Sequence, residues 1–444
     1  MNIKNKNITI IGAGMSGIGA AQLAYHFGAN VFLSDQKKIS HEFKKNISYE
    51  EGKHSKKCYD CDFAIVSPGV PTDNPFFNQF NKQKIEVISE IEFASWYTKS
   101  PIIGVTGSNG KSTTVSILND IFLDEYDSTY MGGNIGIPFS LNVLDENTKN
   151  KSNNIHILEL SSFQLERITT FKPNVACILN LSEDHLDRYD SLIDYYNAKF
   201  NISKNLDKND YLVYNYNDKN YYSKLYEKTN LIQFSSKGKG LNFNVENNHI
   251  IENNTKNTII DCNQTKLKGE HNIENILAAI QIAKLFNIDN DVIKKAITNF
   301  NPLEHRMEVI KKEKNITYIN DSKSTNIKSA LKAIESSNQD TILILGGYSK
   351  GLVNYKDHLG VKLNNIINII CYGNEGENIY KQLKNTYKCQ YIKKFNEAIV
   401  ASIKLAKNNN RVLLSPACSS YDQFNNFEER GNAFKQIVNN HLQK

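Results

Sequence analysis

Short runs of β-branched and other apolar residues recur along the chain. Each run is followed by a turn rich in glycine, serine or asparagine, and most turns lead into an apolar segment with helical periodicity. The runs that we interpret as strands are 7–11, 30–33, 62–67, 102–105, 155–159, 174–180, 316–320, 341–345, 366–372 and 411–414. Strands that alternate with helices are typical of parallel sheets. The pattern therefore predicts an α/β fold.

The chain is too long for one hydrophobic core, since it has 444 residues. The strand–helix rhythm restarts after Tyr97 and again after the stretch Asn301-Pro-Leu-Glu-His-Arg306. We therefore predict three domains: 1–97, Rossmann-like; 98–300, a P-loop ATPase-type α/β domain; and 301–444, Rossmann-like.

A turn opened by Gly107 and Gly110 follows strand 102–105, and Lys111-Ser112-Thr113 begins a helix expected over Val115–Phe122. Glycines let successive backbone N–H groups point at a polyphosphate, and the helix N-terminus adds partial positive charge. Lys111 would reach the outer phosphates and the Ser112 hydroxyl would bind Mg²⁺. Val105 stands where the pattern G-x-x-x-x-G-K-[ST] has its first glycine. The stretch predicts a nucleoside triphosphate site; the alternative is an ordinary glycine-rich turn.

A second glycine pattern, Gly12-Ala-Gly14-Met-Ser-Gly17, follows the first strand and opens an apolar helix. Asp35 comes just after the next strand, at the spacing of about twenty residues seen in dinucleotide-binding units. That arrangement suggests an oxidoreductase. The geometry, however, requires only a diphosphate at the helix N-terminus and a hydroxyl-bearing group near Asp35, so any nucleotide diphosphate would satisfy it.

Ionisable side chains follow two further strands. Glu159 ends strand 155–159, where an acid beside a phosphate loop is well placed to hold Mg²⁺, although a solvated strand-end carboxylate is the alternative. Strand 174–180 leads into Asp184-His185-Leu-Asp187-Arg188, which is dense in groups that orient phosphates and metals. Lys199 lies in a helix expected over 195–202 and has, by itself, only the features of a surface lysine.

Composition narrows the class of protein. Hydrophobic residues make up 40% and charged residues 23%, as in globular proteins. Lysines are scattered, so we expect no nucleic-acid partner. The seven cysteines indicate reduced thiols, and Cys58-Tyr-Asp-Cys61 has no second pair for a zinc site. Nothing resembles a signal peptide or a membrane span. We expect a cytoplasmic monomer that binds no membrane.

These motifs together resemble those of the Mur ligases, the ATP-dependent amide-forming enzymes of peptidoglycan synthesis. The resemblance extends over all three predicted domains. It rests on GVTGSNGKSTT (104–114), GGNIG (132–136), ELSSFQLE (159–166), NLSEDHLDRY (180–189), GEHNIEN (269–275), HR (305–306), NDSKSTN (320–326), GGYSKG (346–351) and SPACSSYDQFNNFEERG (415–431). The last stretch and G-x-G-x-x-G favour the member that adds glutamate.

The resemblance implies an ATP-dependent ligase that joins D-glutamate to UDP-N-acetylmuramoyl-L-alanine through an acyl phosphate, although the residues alone do not distinguish the glutamate enantiomers. It implies ATP and two Mg²⁺ ions. The residues expected to bind ATP are Gly107, Ser108, Asn109, Gly110, Lys111, Ser112, Thr113, Asn272, Asn275, Arg306 and Asp321. The expected catalytic residues are Lys111, Glu159, His185 and Lys199, and the expected metal ligands are Ser112, Glu159, His185 and a carbamylated Lys199.

The resemblance also implies two further binding regions. The UDP substrate is expected at Gly14, Met15, Ser16, Asp35, Asn134 and Ser161, and glutamate at Lys323, Thr325, Lys350, Ser420 and Phe427. Gln36-Lys37 stand where the family commonly has Thr-Arg, which preserves a hydrogen-bonding side chain and a cation. We expect the third domain to close about the linker 301–306.

Three other functions fit parts of the sequence. An NAD(P)-dependent oxidoreductase would explain the first glycine pattern and leave the central domain without a role. A folylpolyglutamate synthase shares a similar phosphate loop and adds glutamate, but the complete N-terminal Rossmann-like domain argues against it. A non-catalytic P-loop module gives no reason for Glu159, His185 and Lys199 to follow the loop in this order.

Overall fold

The structure is a computed structural model that describes residues 1–39, 47–71, 75–149, 151–184, 188–221, 229–238, 240–349, 353–359 and 363–442. The chain divides into two units. The first consists of Met1–Leu181, Ile193–Thr265 and Glu270–Phe300, and the second of Ser182–Leu192, Lys266–Gly269 and Asn301–Lys444. The first unit includes both the N-terminal and the central predicted domains, so the boundary near Tyr97 stays a prediction.

The first sheet has five parallel strands in the order β3-β2-β1-β4-β5. The elements are β1 (Asn7–Ile11), α1 (Met15–His26), β2 (Asn30–Asp35), β3 (Ser48–Glu51), β4 (Phe63–Val66), α2 (Phe76–Lys82), β5 (Glu86–Ser89) and α3 (Glu90–Ser95). Because β1 pairs with β2 on one side and with β4 on the other, the strand order reverses between β1 and β4. Open α/β sheets bind ligands at such a reversal, beyond the carboxyl ends of the strands.

The second sheet has six parallel strands in the order β11-β10-β9-β6-β8-β7. The elements are β6 (Ile102–Thr106), α4 (Lys111–Phe122), β7 (Ser128–Gly133), α5 (Phe139–Lys149), β8 (Asn154–Glu159), α6 (Ser162–Leu165), β9 (Val175–Ile178), α7 (Leu192–Phe200), β10 (Tyr211–Asn215) and β11 (Asn230–Phe234). Every residue of β6 and β8 is buried, as expected for parallel strands covered on both faces.

A small antiparallel sheet and two helices complete the first unit. The sheet joins β12 (Phe243–Glu246), β13 (His249–Glu252) and β14 (Thr258–Asp261), and the helices are α8 (Glu270–Leu285) and α9 (Asn290–Asn299). Ten residues of α8 are buried, and α8 packs on α4 and β11. α8 therefore supports α4, the helix that follows the glycine-rich loop.

The second unit has a six-stranded mixed sheet in the order β15-β16-β20-β17-β18-β19. Its elements are β15 (Glu308–Glu313), β16 (Ile316–Asn320), α10 (Ile327–Glu335), β17 (Thr341–Gly346), α11 (Tyr355–Leu359), β18 (Ile366–Tyr372), α12 (Gly373–Leu383), β19 (Cys389–Tyr391), α13 (Phe395–Leu405), β20 (Arg411–Ala417) and α14 (Phe427–Leu442). Only the β15–β16 pair is antiparallel among the described strands of this sheet. The adjacent strands β16, β20 and β17 end at one edge.

Two buried carboxylates of α3 join the first sheet to the second. Glu90 accepts a hydrogen bond from the backbone N–H of Ser140 at 2.6 Å, and burial raises its pKa to about 7. Glu92 accepts from all three backbone N–H groups of residues 169–171 and from the indole of Trp96. Burial alone would raise the pKa of Glu92, but these hydrogen bonds outweigh it and lower the pKa.

The predicted α/β class is confirmed, and the predicted strands are all present. Short strands are also expected over 205–268, where short apolar runs alternate with Asn/Lys-rich turns, and β10–β14 lie there. Beyond these, the structure adds five strands that the sequence pattern did not predict, namely β3, β5, β7, β15 and β19. Among the helices of the described residues, none is long and apolar enough to cross a membrane.

Candidate active site

The loop between β6 and α4 has the conformation of a phosphate cradle. Gly107 and Gly110 have φ values of 145° and 89°, in the region that favours glycine. A Cβ added to Gly110 would lie 2.2 Å from Oδ1 of Asn275, so only glycine fits at that position. Val105 is fully buried in β6, and the chain leaves the strand only after Thr106. Position 105 therefore lies in the strand and not in the turn, so it does not require the backbone freedom of glycine.

Two lysine ammonium groups converge on one carbonyl oxygen of this loop. Nζ of Lys111 donates to the Gly107 oxygen at 2.7 Å and to the Ser108 oxygen at 3.1 Å. Nζ of Lys199 donates to the same Gly107 oxygen at 3.1 Å, and Lys199 is 2% exposed. The Lys199 ammonium also lies 4.5 Å from the centre of the Tyr195 ring. Two cations at a glycine-rich loop and a helix N-terminus favour a polyanionic ligand.

Glu159 lies at the end of the neighbouring strand. The register places Glu159 beside Val105 of β6 and beside Gly133 of β7. The Asn134 side chain donates to Oε1 of Glu159 at 2.8 Å, and the Asn134 N–H donates to the Glu159 carbonyl, also at 2.8 Å. The Ser112 hydroxyl, in the first turn of α4, is buried. A carboxylate and a hydroxyl are oxygen donors of the kind that Mg²⁺ prefers.

Asparagine side chains fix the rest of the loop. Asn275 donates to Asn272 at 3.3 Å, so two expected ATP residues lie together beside Gly110. Asn180, to which no role was assigned from the sequence, accepts from the N–H of Asn109 at 2.9 Å and donates back to its carbonyl at 2.9 Å.

Ser161 caps a helix. Its hydroxyl accepts from the backbone N–H of Gln164, and the Gln164 side chain accepts from the Ser161 N–H, which completes a capping box for α6. Its expected contact with the UDP substrate stays a prediction.

A cavity of about 590 Å³ lies where the strand order of the first sheet reverses, and Gly14, Met15, Ser16 and Asp35 line it. A Cβ added to Gly17 would lie 1.9 Å from the Gly12 oxygen. Among the described residues, leaving out its chain neighbours and its own helix backbone, none has a heavy atom within 4 Å of a Cβ at Gly14. Gly17 thus permits close helix–strand packing, and Gly14 leaves the backbone open to a ligand, as in dinucleotide sites. Among the described residues, Asn134 and Ser161 are not part of this lining.

Asp35 organises the entrance loops of this cavity. Its carboxylate accepts from the N–H of Ala13 at 2.6 Å and from the N–H of Lys37 at 2.7 Å. These bonds tie the glycine loop after β1 to the segment after β2. Ser67, after β4, donates to the Gly12 oxygen at 2.8 Å and closes the opposite side of the loop.

The second unit gathers other expected ligand residues at the edge where β16 and β20 end. Asp321 is buried and accepts from the Ser415 hydroxyl at 2.7 Å and from the Met307 N–H at 3.2 Å. Burial raises its pKa to about 6, against the lowering effects of the Ser415 hydrogen bond and of the Arg306 charge. Nζ of Lys323 lies 5.1 Å from the centre of the Phe427 ring. Arg306, Asp321, Lys323 and Phe427 therefore belong to one region of this unit.

Arg430 is a residue of this region that sequence reasoning missed, although it lies in the last motif. It is fully buried, and its guanidinium donates to the hydroxyl and the carbonyl of Ser322 at 2.9 and 2.7 Å. It also donates to the carbonyls of Cys418 and Ser419, each at 3.1 Å. Arg430 thus joins the loop of Lys323 to the loop of Ser420.

Three of the expected site residues are not among the contacts described above. Thr325 is partly buried and precedes Asn326, the N-cap of α10. His185 and Lys350 lie outside the described residues. The structure therefore brings together Lys111, Lys199 and the Asn272–Asn275 pair at one loop, with Glu159 at the adjoining strand end.

Three family profiles match the chain. They are the MurD N-terminal domain over residues 7–75, the Mur ligase middle domain over 105–283, and the Mur ligase glutamate ligase domain over 305–418. Together they match residues 7–418 apart from two gaps, and they follow the order of the three predicted domains.

Curated relatives match along the full length. A UDP-N-acetylmuramoylalanine–D-glutamate ligase of Christiangramia forsetii is 38% identical over 452 residues, covering 98% of this chain and 99% of the relative. The enzyme of the same name from Clostridioides difficile is 38% identical over 454 residues, covering 99% and 100%.

Solved structures share the fold at low identity. MurF ligase from Thermotoga maritima, solved in complex with ADP, superposes with a TM-score of 0.64 at 16% identity, covering 99% of this chain and 96% of that chain. A pseudomurein peptide ligase type C from Methanothermus fervidus gives a TM-score of 0.62 at 19% identity, covering 98% and 100%.

Proposed function

The chain belongs to the Mur ligase family and to its MurD type, and from this premise we propose that it joins D-glutamate to UDP-N-acetylmuramoyl-L-alanine, with conversion of ATP to ADP and phosphate. The observation that supports this most directly is the convergence of Lys111 and Lys199 on the Gly107 oxygen, next to the strand that ends in Glu159. That arrangement brings a cation, Lys111, and two side chains proposed as metal ligands, Glu159 and a carbamylated Lys199, to the loop where phosphoryl transfer between two anions would occur.

A carboxylate is a poor electrophile, so amide formation requires its activation. In the proposed reaction the γ-phosphoryl group of ATP passes to the alanyl carboxylate, the amine of glutamate attacks the resulting acyl phosphate, and phosphate leaves. Both reactants of the first step are anions, so charge stabilisation and in-line positioning dominate catalysis. The Lys111 ammonium and the loop N–H groups would hold the phosphates, and the fixed turns at Gly107 and Gly110 keep these donors in place.

The donor set fits magnesium. Bound Mg²⁺ would neutralise phosphate charge and orient the transferred group. Ser112 and Glu159 would hold it, and we propose His185 and a carbamylated Lys199 as ligands of a second ion. Support for the Lys199 proposal is its burial beside Gly107, because carbamylation would place a carboxylate-like group at the phosphate loop.

The other substrates are assigned to separate regions. We assign the UDP moiety to the cavity of the first sheet, where Gly14 leaves the backbone open next to the N-terminus of α1. We assign glutamate to the loops after β16 and β20, where the Lys323 ammonium lies beside Phe427 and supplies a cation for a carboxylate. Cytoplasmic action is proposed on the support of seven cysteines that are all free thiols.

An isotope experiment tests the reaction course. UDP-N-acetylmuramoyl-L-alanine labelled with ¹⁸O in its alanyl carboxylate is incubated with ATP and D-glutamate, and released phosphate is analysed by mass spectrometry. An acyl phosphate route transfers one ¹⁸O into each phosphate. Product that forms with unlabelled phosphate would contradict the proposed route, and absence of product would contradict the proposed function.

A further inference from the structure

His54 lines the cavity of the first sheet but has no role in the function described so far. It follows β3 and shares the cavity wall with Asp35. Its ring stacks on Phe76, with ring centres 4.8 Å apart and planes inclined by 29°. The stacking fixes the plane of the imidazole, so its nitrogen atoms have defined directions.

The hydrogen bonds around Ser34 determine which nitrogen of His54 carries the proton. Oγ of Ser34 lies 2.7 Å from Nδ1 of His54 and 2.8 Å from Oε1 of Glu50. Burial raises the pKa of Glu50, but hydrogen bonds from Ser55 and Ser34 outweigh it and lower the pKa. The carboxylate is therefore ionised at neutral pH and can only accept. The single proton of the Ser34 hydroxyl goes to Glu50 or to its other neighbour, the Lys53 carbonyl at 3.3 Å, and both of these can only accept, so Nδ1 must donate to Ser34.

The other ring nitrogen is consequently an acceptor. Burial lowers the pKa of His54, against the opposing effect of Asp35 and Glu50, so the ring is neutral at pH 7. With the proton on Nδ1, Nε2 has a lone pair that can accept a hydrogen bond. Within the described part of the chain, Nε2 has no hydrogen-bond partner. A ring on the cavity wall with Nδ1 turned towards Ser34 of β2 offers Nε2 to a ligand.

We propose that His54 recognises the nucleoside part of the bound UDP substrate, by accepting at Nε2 a hydrogen bond from an N–H or O–H donor of uridine. Uridine has two kinds of donor, the N3–H of the base and the ribose hydroxyls. The proposal rests on the proposed function, because it takes the cavity as the UDP site. In this proposal the hydrogen-bonded series Glu50–Ser34–His54 holds the imidazole in the tautomer that is protonated at Nδ1.

Metal binding is the competing explanation of the same side chains. Ligand atoms of Glu50, His54 and Cys58 lie within 4.8 Å of one another. However, Oε1 of Glu50 already accepts from the Ser55 N–H at 2.7 Å and from the Cys58 thiol at 3.4 Å, and burial raises the pKa of that thiol to about 12. A protonated thiol whose hydrogen bond is already made is a poor metal ligand. These side chains therefore favour hydrogen bonds that fix the His54 tautomer over a metal site.

Steady-state kinetics of three full-length variants test the proposal. His54→Phe retains the stacked ring but lacks the acceptor, His54→Asn can reach Ser34 only, and His54→Gln extends an amide to the Nε2 position. We expect His54→Phe and His54→Asn to raise KM for the UDP substrate about 3- to 10-fold, the effect of losing one neutral hydrogen bond, with kcat and KM for ATP and glutamate unchanged. KM of His54→Gln should remain within about twofold of the wild-type value. His26→Phe is the matched control, because His26 is an exposed histidine that also contacts a phenylalanine ring.

Competition by uridine analogues identifies the donor. N3-methyl-UDP lacks the base N–H, and 2′-deoxy-UDP and 3′-deoxy-UDP each lack one ribose hydroxyl. The analogue without the true partner should inhibit wild type about 3- to 10-fold more weakly than UDP and inhibit His54→Phe equally with UDP. The proposal would be overturned if every analogue still inhibited His54→Phe more weakly than UDP does, or if KM for the UDP substrate were unchanged in that variant. UDP binding that requires Zn²⁺ and is lost in Cys58→Ser would overturn it in favour of a metal site. A wild type without ligation activity would contradict the proposed function instead.

Discussion

Replacing Glu90 by glutamine should stabilise the first unit at alkaline pH and leave it unchanged at low pH. The Glu90 carboxyl is fully buried between α3 and α5. Oε1 accepts from the Ser140 N–H, but Oε2 has no hydrogen-bond partner within the described residues. Ionisation therefore places a charge between two packed helices with only Ser140 to compensate it. Glutamine has nearly the same shape as the protonated acid and does not ionise.

The magnitude follows from the pKa. Burial raises it from the ordinary value of 4.5 to about 7. Between these values the folded chain holds a proton that the unfolded chain has lost, so the free energy of unfolding falls as pH rises and becomes constant above about pH 7. The two values differ by about 2.5, and each pKa unit is worth about 1.4 kcal/mol, which gives about 3 kcal/mol in total. Glu90→Gln has no ionisable group at this position, so its free energy of unfolding should not fall in this way. It should exceed the wild-type value by about 3 kcal/mol at pH 8 and equal it at pH 4.

Urea unfolding followed by tryptophan fluorescence measures the difference. The chain has one tryptophan, Trp96, directly after α3, so the signal reports the part of the molecule that contains Glu90. The midpoint is recorded from pH 4 to pH 8 for wild type, for Glu90→Gln, and for Glu86→Gln as an exposed control on β5. Parallel curves for Glu90→Gln and wild type, or a lower stability of the variant at pH 8, would refute the reasoning.

Three further predictions concern single side chains. Lys111→Ala should lower ligation about 10³-fold, because an ammonium at the transferred phosphoryl group is lost, while binding of the UDP substrate stays within about twofold; equal activity would contradict the phosphate-loop assignment. Glu92→Gln should lower the free energy of unfolding by about 2–4 kcal/mol in the Trp96 assay, since a carboxylate with donors from residues 169–171 is replaced by a neutral amide. Arg430→Lys should raise KM for glutamate about tenfold with unchanged ATP affinity, because lysine cannot join the Ser322 and Cys418 loops, and a change in ATP affinity alone would argue against this role.

Local chemistry explains which elements the sequence predicted well. β1 has the predicted bounds, Asn7–Ile11, because its apolar run is buried between two neighbouring strands. α4 begins at Lys111, where the Lys-Ser-Thr run is expected to open the helix, because Gly110 ends the turn in a left-handed conformation. The bounds Val115–Phe122 cover only its apolar part, since the polar first turn adds no apolar signal. β3 and β15 were not predicted, since the polar sequences SYEE and EVIKKE lie at sheet edges, where a strand pairs on one side only.

The candidate site depends on contacts that spacing does not reveal. Lys199 donates to the Gly107 oxygen from 92 residues away in the sequence. The residues next to Lys199 in the sequence do not indicate that it belongs to a site. Arg430 reaches Ser322 across 108 residues. The resemblance to the family supplied Lys199, but neither the resemblance nor the sequence pattern gave a role to Arg430, Asn180 or His54. The roles proposed for them depend on hydrogen bonds that form only after the sheets assemble.

The most direct test of the account is phosphate release from ATP by the purified full-length chain. UDP-N-acetylmuramoyl-L-alanine is supplied with D-glutamate, with L-glutamate or with no amino acid, and Lys111→Ala is assayed beside wild type. We predict one phosphate per amide bond formed with D-glutamate, and little release with L-glutamate, without amino acid or with the variant. Release that is independent of D-glutamate, or amide formation that survives the loss of Lys111, would contradict the account.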